Sequence, residues 1–228
     1  MDDTPCYKRV VLKLSGEALS GEDAYGISQT VINDIAAQIK QVHDAGVEIA
    51  VVTGGGNFFR GGRSNYNDID RAAADYMGML ATIMNGIALQ HALEKQGLTA
   101  RLISALEVKT VAEPYSRRRV LAHLHKGRVV IFSGGTGNPF FTTDTAAALR
   151  AIEIGADVLL KATMVEGVFA DDPKKVKGLV KFDRISYAEV LEKGLKVIDG
   201  TAVALCREHR LHIKVFDITK KGNIMKAV

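Results

Sequence analysis

The sequence contains no tryptophan, two cysteines and four prolines in 228 residues, and aromatic residues make up only 6% of it. So few aromatics argue against a stacking platform for single-stranded nucleic acid. Cys6 and Cys206 stand near opposite ends, with no CxxC or Cys/His cluster between them. That spacing offers neither a disulfide framework nor a structural zinc site, and both thiols are expected to be reduced. Long apolar runs are also missing. Stretches such as Val10 to Leu12 or Ile49 to Val52 fall far short of the ~20 residues of a membrane helix. Met1-Asp2-Asp3 is acidic where a secretory signal would be basic, so a cytoplasmic protein without a membrane span is expected. What remains is 47% hydrophobic and 25% charged with a net charge of +4, the composition of a globular chain with a substantial core and a mild preference for anionic ligands.

Hydrophobic periodicity alternates between the two regular types. Tyr7 to Leu14, Val47 to Thr53, Thr99 to Ser104, Arg128 to Ser133, Asp157 to Lys161 and His212 to Asp217 are short β-branched and apolar runs that predict strands. Between them lie helical patterns. Ser28 caps a helix carrying Val31, Ile35, Ile39 and Val42 and ending at Gly46. Asp70 to Gln96 predicts one long helix, with Ala73, Met77, Leu80, Met84 and Ile87 as its core stripe and Gly78 and Gly86 as points where it could kink. Further helices are expected at Arg117 to Lys126, Asp144 to Gly155, from the Ser186/Glu189 capping box to Gly194, and at Asp199 to Arg210. Gly167 to Phe169, followed by Asp171-Asp172-Pro173, reads as a hairpin or loop. No repeat, linker or low-complexity tract divides the chain. Strand and helix alternation predicts an α/β fold with a mainly parallel sheet covered on both faces.

Three glycine-rich loops follow predicted strands: Lys13-Leu14-Ser15-Gly16, Gly54-Gly55-Gly56-Asn57 and Gly134-Gly135-Thr136-Gly137-Asn138-Pro139. Loops at the carboxyl ends of parallel strands are where such sheets bind ligands, and glycine lets backbone amides approach an anion closely. One glycine cluster is ordinarily a tight turn; three at one sheet edge suggest phosphate. Neither GxxxxGK[ST] nor GxGxxG with its acidic partner is present, which argues against a P-loop or dinucleotide-binding enzyme. Lys13 and Lys161 lie in apolar strand context and so need an anion beside them, either a phosphate or a structural partner such as Asp144. Asp144, at a helix start, is by default a cap. The six histidines give neither a nucleophile motif nor metal spacing. The basic runs Arg117-Arg118-Arg119 and Lys174-Lys175 with Lys177 and Lys181 are more simply solvated faces than nucleic-acid contacts.

The segments KLSGEAL (Lys13 to Leu19), GGGNFFRG (Gly54 to Gly61), DYMGMLATIMNG (Asp75 to Gly86), GTGNPFFTTD (Gly135 to Asp144) and GVFADDP (Gly167 to Pro173) together resemble the bacterial uridylate kinases of the amino-acid kinase superfamily. The resemblance runs essentially from end to end. It implies a three-layer αβα sandwich, one domain over residues 1–228 with its acceptor part mainly N-terminal and its ATP part mainly C-terminal, and assembly into a homohexamer. It further implies transfer of the γ-phosphoryl group of ATP to UMP, giving UDP and ADP in pyrimidine nucleotide biosynthesis, with Mg²⁺ accompanying ATP rather than sitting in a dedicated protein cage. Lys13, Arg60, Asp144 and Lys161 would carry catalysis. Lys13, Leu14, Ser15 and Gly16 would hold ATP phosphates with Gly56 and Arg60, while Thr163, Phe169 and Asp172 would bind the adenosine part. Gly55 and Asp75 would contact UMP, and Thr136, Gly137, Asn138, Pro139, Phe140, Phe141, Thr142 and Thr143 would wrap its phosphate and base. Gly21, Glu22, Asp23, Ala24, Tyr25 and Gly26 match an effector segment for GTP, with UTP as a second effector. Glu166 stands where an aspartate is expected, Phe169 where tyrosine also occurs, and the polar segment Gly62 to Asp70 matches nothing.

Three other readings compete. A kinase of carboxylates or carbamates would use the same lysines but not Asp75 and the GTGNPFFTT loop. A catalytically silent nucleotide sensor or storage oligomer would not need Lys13, Asp144 and Lys161. A nucleic-acid regulator acting through the basic runs would bind in a steeply salt-dependent way.

Overall fold

A computed structural model describes residues 5–23, 25–59, 68–171, 176, 178–195 and 197–228. In chain order the elements are β1 (Arg9–Leu14), α1 (Gly16–Ser20), α2 (Gln29–Asp44), β2 (Glu48–Thr53), α3 (Arg71–Lys95), β3 (Ala100–Ser104), β4 (Glu113–Pro114), α4 (Arg117–Leu124), β5 (Val129–Ser133), α5 (Thr143–Ile154), β6 (Val158–Thr163), β7 (Val168–Phe169), β8 (Lys181–Phe182), α6 (Tyr187–Glu192), α7 (Gly200–Glu208), β9 (His212–Asp217) and α8 (Asn223–Ala227). Seven strands form a sheet in the order β4-β3-β5-β2-β1-β6-β9, every pair parallel. β7 and β8 make a separate antiparallel pair. The polar turns and short helices left over from the sequence reading supply the connections; α1, α8, β4 and β8 are too short to carry a periodic signal.

Strand alternation sorts the core into two layers. Val10, Leu12, Leu14, Ile49, Val51, Ile131 and Leu160 pack on one face under α2, α3 and α8. Val11, Ala50, Val52, Val130, Phe132 and Leu159 pack on the other under α4, α5, α6 and α7. Helices on both faces of a parallel sheet give the three-layer α/β sandwich that the sequence predicts. Lys13 and Lys161 have the parity of Val11 and Leu159, so their side chains leave the sheet toward α5.

The long helix α3 runs unbroken from Asp70, whose carboxylate accepts from Ala73 N–H at 2.9 Å, to Gln96. Its expected core stripe is wrong. Met77, Leu80, Met84 and Ile87 are 40–50% exposed, and Ala73 is exposed as well. The buried side instead carries Ala74, Ala81, Thr82, Asn85 and Gly86, with Leu89, Ala92 and Leu93 further along. Close approach to the sheet explains this choice. A Cβ on Gly86 would stand 2.5 Å from Leu102 Cδ1, and one on Gly55 would stand 2.6 Å from Gly78 O. At those close points only small residues fit, while Met79, Ile83, Leu89 and Leu93 are buried elsewhere along the helix. Among the described residues no helix is long and apolar enough to cross a membrane.

Candidate active site

β1, β2 and β5 all point their carboxyl ends at one edge of the sheet, so the three glycine-rich loops meet there. Gly54 N–H donates to Leu14 O at 2.8 Å. Ser15 caps α1, its Oγ accepting from Ala18 N–H at 3.3 Å. Gly16 is the tight point: a Cβ there would lie 2.4 Å from Gly56 N and 2.6 Å from Asn57 Oδ1. The sequence needs glycine at 16 because the second loop lies directly against it.

Lys13 and Lys161 face each other in register across β1 and β6. Both are buried. One carboxylate serves both: Lys13 Nζ stands 2.8 Å from Asp144 Oδ1 as an ion pair outside hydrogen-bond angles, and Lys161 Nζ donates to Asp144 Oδ2. Burial works to raise the carboxyl pKa of Asp144, but the two ammonium charges outweigh it and hold the group below its ordinary 3.8. Lys161 is pushed below its ordinary 10.5, first by burial and then by Lys13, against the pull of Asp144. The two lysines share one carboxylate, and the charge of Asp199 also acts on Lys161.

Asp144 is not the helix cap. Thr142 is, its Oγ1 accepting from Asp144 N–H at 3.0 Å and Thr145 N–H at 3.3 Å, which leaves the carboxylate free to engage the lysines. Asp199 holds this corner from below. It accepts from Thr142 Oγ1 at 2.5 Å, from Thr145 Oγ1 at 2.9 Å and from Ala202 N–H at 3.0 Å, capping α7 at the same time. In the sequence Asp199 marks only a helix start, and a capping position does not distinguish a bridging carboxylate from an ordinary cap.

The third loop is held by turns of its own. Thr136 Oγ1 donates to Asn138 O and accepts from Asn138 N–H, both at 3.1 Å, and Gly137 N–H donates to Gly134 O at 2.9 Å. Pro139 follows, and Phe140 and Phe141 are largely exposed beside it, with Phe140 at φ 73°. That left-handed conformation is costly for a side chain with a Cβ and is held from outside. Asp75 Oδ2 accepts from Phe140 N–H at 2.7 Å, and the same carboxylate takes Arg71 Nε at 2.8 Å. Thr143 opens α5. Asp75 and the loop Thr136 to Thr143 are thus brought to the same mouth as Gly55 and the lysines.

Thr163 ends β6, its Oγ1 donating to Val165 O at 2.8 Å, and Phe169 pairs with Lys181 across β7 and β8. Glu166 is ion-paired with Lys220 at the surface. Gly21, at φ 66°, ends α1; Glu22 and Asp23 are exposed beyond it, and Tyr25 packs edge-on against Phe58 with ring centroids 5.5 Å apart. Ala24, Arg60 and Asp172 lie outside the described residues, as do Lys174, Lys175 and Lys177 and positions 62–67 of the unmatched polar segment. Arg117 Nε donates to Glu153 O at 2.5 Å, and Arg119 Nε stands 3.6 Å from Glu113 Oε2, so two members of that basic run are engaged within the fold.

The arrangement can bind a polyanion on glycine amides and neutralise charge between the two lysines. Known proteins point the same way. The amino acid kinase family model matches residues 8–217. The UMP kinase of Bacillus anthracis superposes with a TM-score of 0.93 at 38% identity, over 97% of this chain and 91% of that one. The UMP kinase of Ureaplasma parvum gives 0.89 at 38% identity, over 94% and 91%. The uridylate kinase of Archaeoglobus fulgidus gives 0.75 at 31% identity, over 96% and 94%. The chain has the fold of these kinases and belongs to the amino acid kinase family, with its glycine loops converging on two lysines and a shared aspartate.

Proposed function

We propose that this protein transfers the γ-phosphoryl group of ATP to UMP, giving UDP and ADP, as a step of pyrimidine nucleotide synthesis. The observation that carries this reading is the buried Lys13–Asp144–Lys161 cluster at the meeting point of three glycine-rich loops, in a chain 38% identical to two UMP kinases. The N-terminal part would then take the acceptor and the C-terminal part would take ATP.

The chemistry suits these groups. A nucleoside monophosphate has a second pKa of about 6, so its attacking oxygen is already anionic at neutral pH and needs no general base. Phosphoryl transfer passes through a loose transition state, and the protein's task is to align donor and acceptor and to neutralise charge on the moving group. Lys13 and Lys161 would flank that group, held apart and aimed by Asp144. Ser15, Gly16 and Gly56 would present backbone and hydroxyl donors to the ATP phosphates, with Leu14 behind them and Arg60 beside the transferring group. Thr163, Phe169 and Asp172 would hold the adenosine part. Gly55, Asp75 and the loop Thr136 to Thr143 would enclose UMP, with Phe140 and Phe141 available to cover its base.

Both oxygens of Asp144 are directed at lysines, and the described residues contain no group of three or more His, Cys, Asp or Glu placed to hold a metal. Mg²⁺ accompanying ATP would supply charge neutralisation on its phosphates.

Assembly belongs to the same proposal. The outer face of α3 carries Tyr76, Met77, Leu80, Met84 and Ile87 exposed, a contiguous apolar strip of the kind that marks a protein contact. It fits self-association of this chain into the homohexamer implied by the family resemblance, with GTP and UTP as effectors through Gly21 to Gly26. Chromatographic detection of UDP from ATP, Mg²⁺ and UMP tests the central reaction; ATP consumption without UDP would reject it.

A further inference from the structure

Asn57 and Asn85 are almost fully buried, at 2% and 0% exposure, and no role in binding or transfer falls to either. They form a closed pair. Asn57 Nδ2 donates to Asn85 Oδ1 at 2.9 Å while Asn85 Nδ2 donates to Asn57 Oδ1 at 2.7 Å. The second proton of each amide leaves the pair in a different direction. Asn85 donates to Gly54 O at 2.7 Å, at the start of the glycine loop, and Asn57 donates to Gly26 O at 2.8 Å, at the end of the Gly21 to Gly26 segment. All four amide protons are used.

Other contacts fasten the same two pieces. Gly26 N–H donates to Asn57 O at 3.1 Å, so Asn57 engages both the N–H and the carbonyl of Gly26. Tyr25 lies edge-on to Phe58. Ser28 N–H donates to Leu19 O at 2.8 Å, closing the segment back on α1. Gly16, at the start of α1, is in contact range of Asn57 Oδ1. A buried polar network of this kind is rigid while complete and costly when broken, because each orphaned donor or acceptor keeps its full desolvation penalty. Segment and loop therefore have one low-energy arrangement relative to each other.

We infer that Asn57 and Asn85 are positioning residues: the amide pair fixes the Gly54 to Gly56 loop for the ATP phosphates and locks it to the Gly21 to Gly26 segment, so that a change at either is felt at the other. The inference rests on the reading of Gly56 and its neighbours as a phosphate loop. Coupling here is reciprocal, as any thermodynamic linkage must be. ATP on the loop tightens the segment, and a ligand or subunit that orders the segment tightens ATP binding.

Hydrogen–deuterium exchange of the full chain, with and without ATP and Mg²⁺, tests this directly. In the unmodified protein ATP is expected to slow exchange in peptides covering residues 54–59 and also in those covering 20–28. In Asn57→Asp, which keeps the side-chain shape but removes the Nδ2 donor to both Gly26 O and Asn85 Oδ1 while Asn85 still donates to Gly54 O, the response at 54–59 is expected to persist and that at 20–28 to be lost. Protection at 54–59 alone in the unmodified protein, or an undiminished response at 20–28 in folded Asn57→Asp, overturns the coupling. No protection at 54–59 in the unmodified protein overturns the phosphate-loop reading, and this inference with it.

Kinetics give a second readout. Asn85→Ala releases Gly54 O, and its kcat/KM for ATP is expected to fall roughly tenfold or more, with KM for UMP rising as well because Gly55 lies in the same loop. A general loss of folding would instead lower the amount of active enzyme and leave both KM values alone. A folded Asn85→Ala with unchanged ATP kinetics contradicts the positioning role.

Discussion

Lys13 and Lys161 are register partners on adjacent parallel strands, and the only carboxylate paired with either among the described residues is Asp144. Two like charges are thus held side by side in a buried site, a placement that costs stability unless an anion shares the space. The fold supplies one anion, and a transferring phosphoryl group would supply the next.

Removing one lysine should therefore cost rate more than structure. Lys13→Ala is expected to lose ~10²-fold or more in kcat, the scale of deleting one preorganised donor. Steady-state assays on the folded variant check this, and a near-normal rate would remove Lys13 from the chemistry.

Asp144→Asn should damage both. It leaves two buried ammonium groups without a counter-charge, for which a loss of about 3–5 kcal/mol is expected. The pH dependence follows from the lowered carboxyl pKa of Asp144. A depressed folded-state value means that the stabilisation is present above the unfolded value of about 3.9 and is lost as pH falls through the folded-state pKa. Urea unfolding of both proteins from pH 7 down to the acid limit should show the gap between them closing only in acid. A gap that stays constant with pH would show that the ionised carboxylate is not its source.

Gly16→Ala adds one methyl group where Gly56 N and Asn57 Oδ1 leave no room, at 2.4 and 2.6 Å. The neighbours are backbone and a buried amide, so the Gly54 to Gly56 loop itself must shift. Displacement of about 1 Å is expected to cost ~10²-fold in kcat/KM for ATP, with a milder change in KM for UMP.

Asp199→Ala removes the cap of α7 and the acceptor that holds Thr142 and Thr145. Loss of the cap alone should cost about 0.5–2 kcal/mol. Release of Thr142, in the loop proposed to enclose UMP, should in addition raise KM for UMP more than KM for ATP. Equal changes in the two would assign Asp199 to the fold alone.

The outer stripe of α3 gives a test of assembly. Leu80→Glu with Met84→Glu places charge on side chains that are already half exposed, so an isolated chain should tolerate the pair within about 0.5 kcal/mol. Sedimentation should show a smaller assembly than the parent. An unchanged oligomer would place the contact elsewhere.

Much of this architecture was legible from periodicity and punctuation. Ser28 and the Ser186/Glu189 capping box mark helix starts that the structure retains, and the six long strands stand within a residue or two of their apolar runs. α3 shows where pattern reading fails. It has two plausible stripes, and bulk favours the wrong one, because closeness to the sheet selects Ala81 and Gly86 over Leu80 and Met84; that distance is a tertiary fact. The lysines of the site were visible as charges in apolar strands. Their sharing of Asp144 was open, since a threonine two residues earlier could equally have left the aspartate as the cap. Asn57, Asn85 and Asp199 carried no distinguishing pattern, because a buried amide pair or a bridging cap depends on residues far apart in the chain.

On the proposed reading this site phosphorylates a nucleoside monophosphate. ADP release by the purified protein with ATP and Mg²⁺, compared across UMP, CMP, AMP, aspartate and acetylglutamate, tests it most directly. Turnover that depends on Lys13 and is strongest with UMP is expected. Turnover with an amino acid and none with UMP would keep the fold and contradict the acceptor site, and ATP binding without turnover on any of the five would contradict the assignment of Lys13, Asp144 and Lys161 to catalysis.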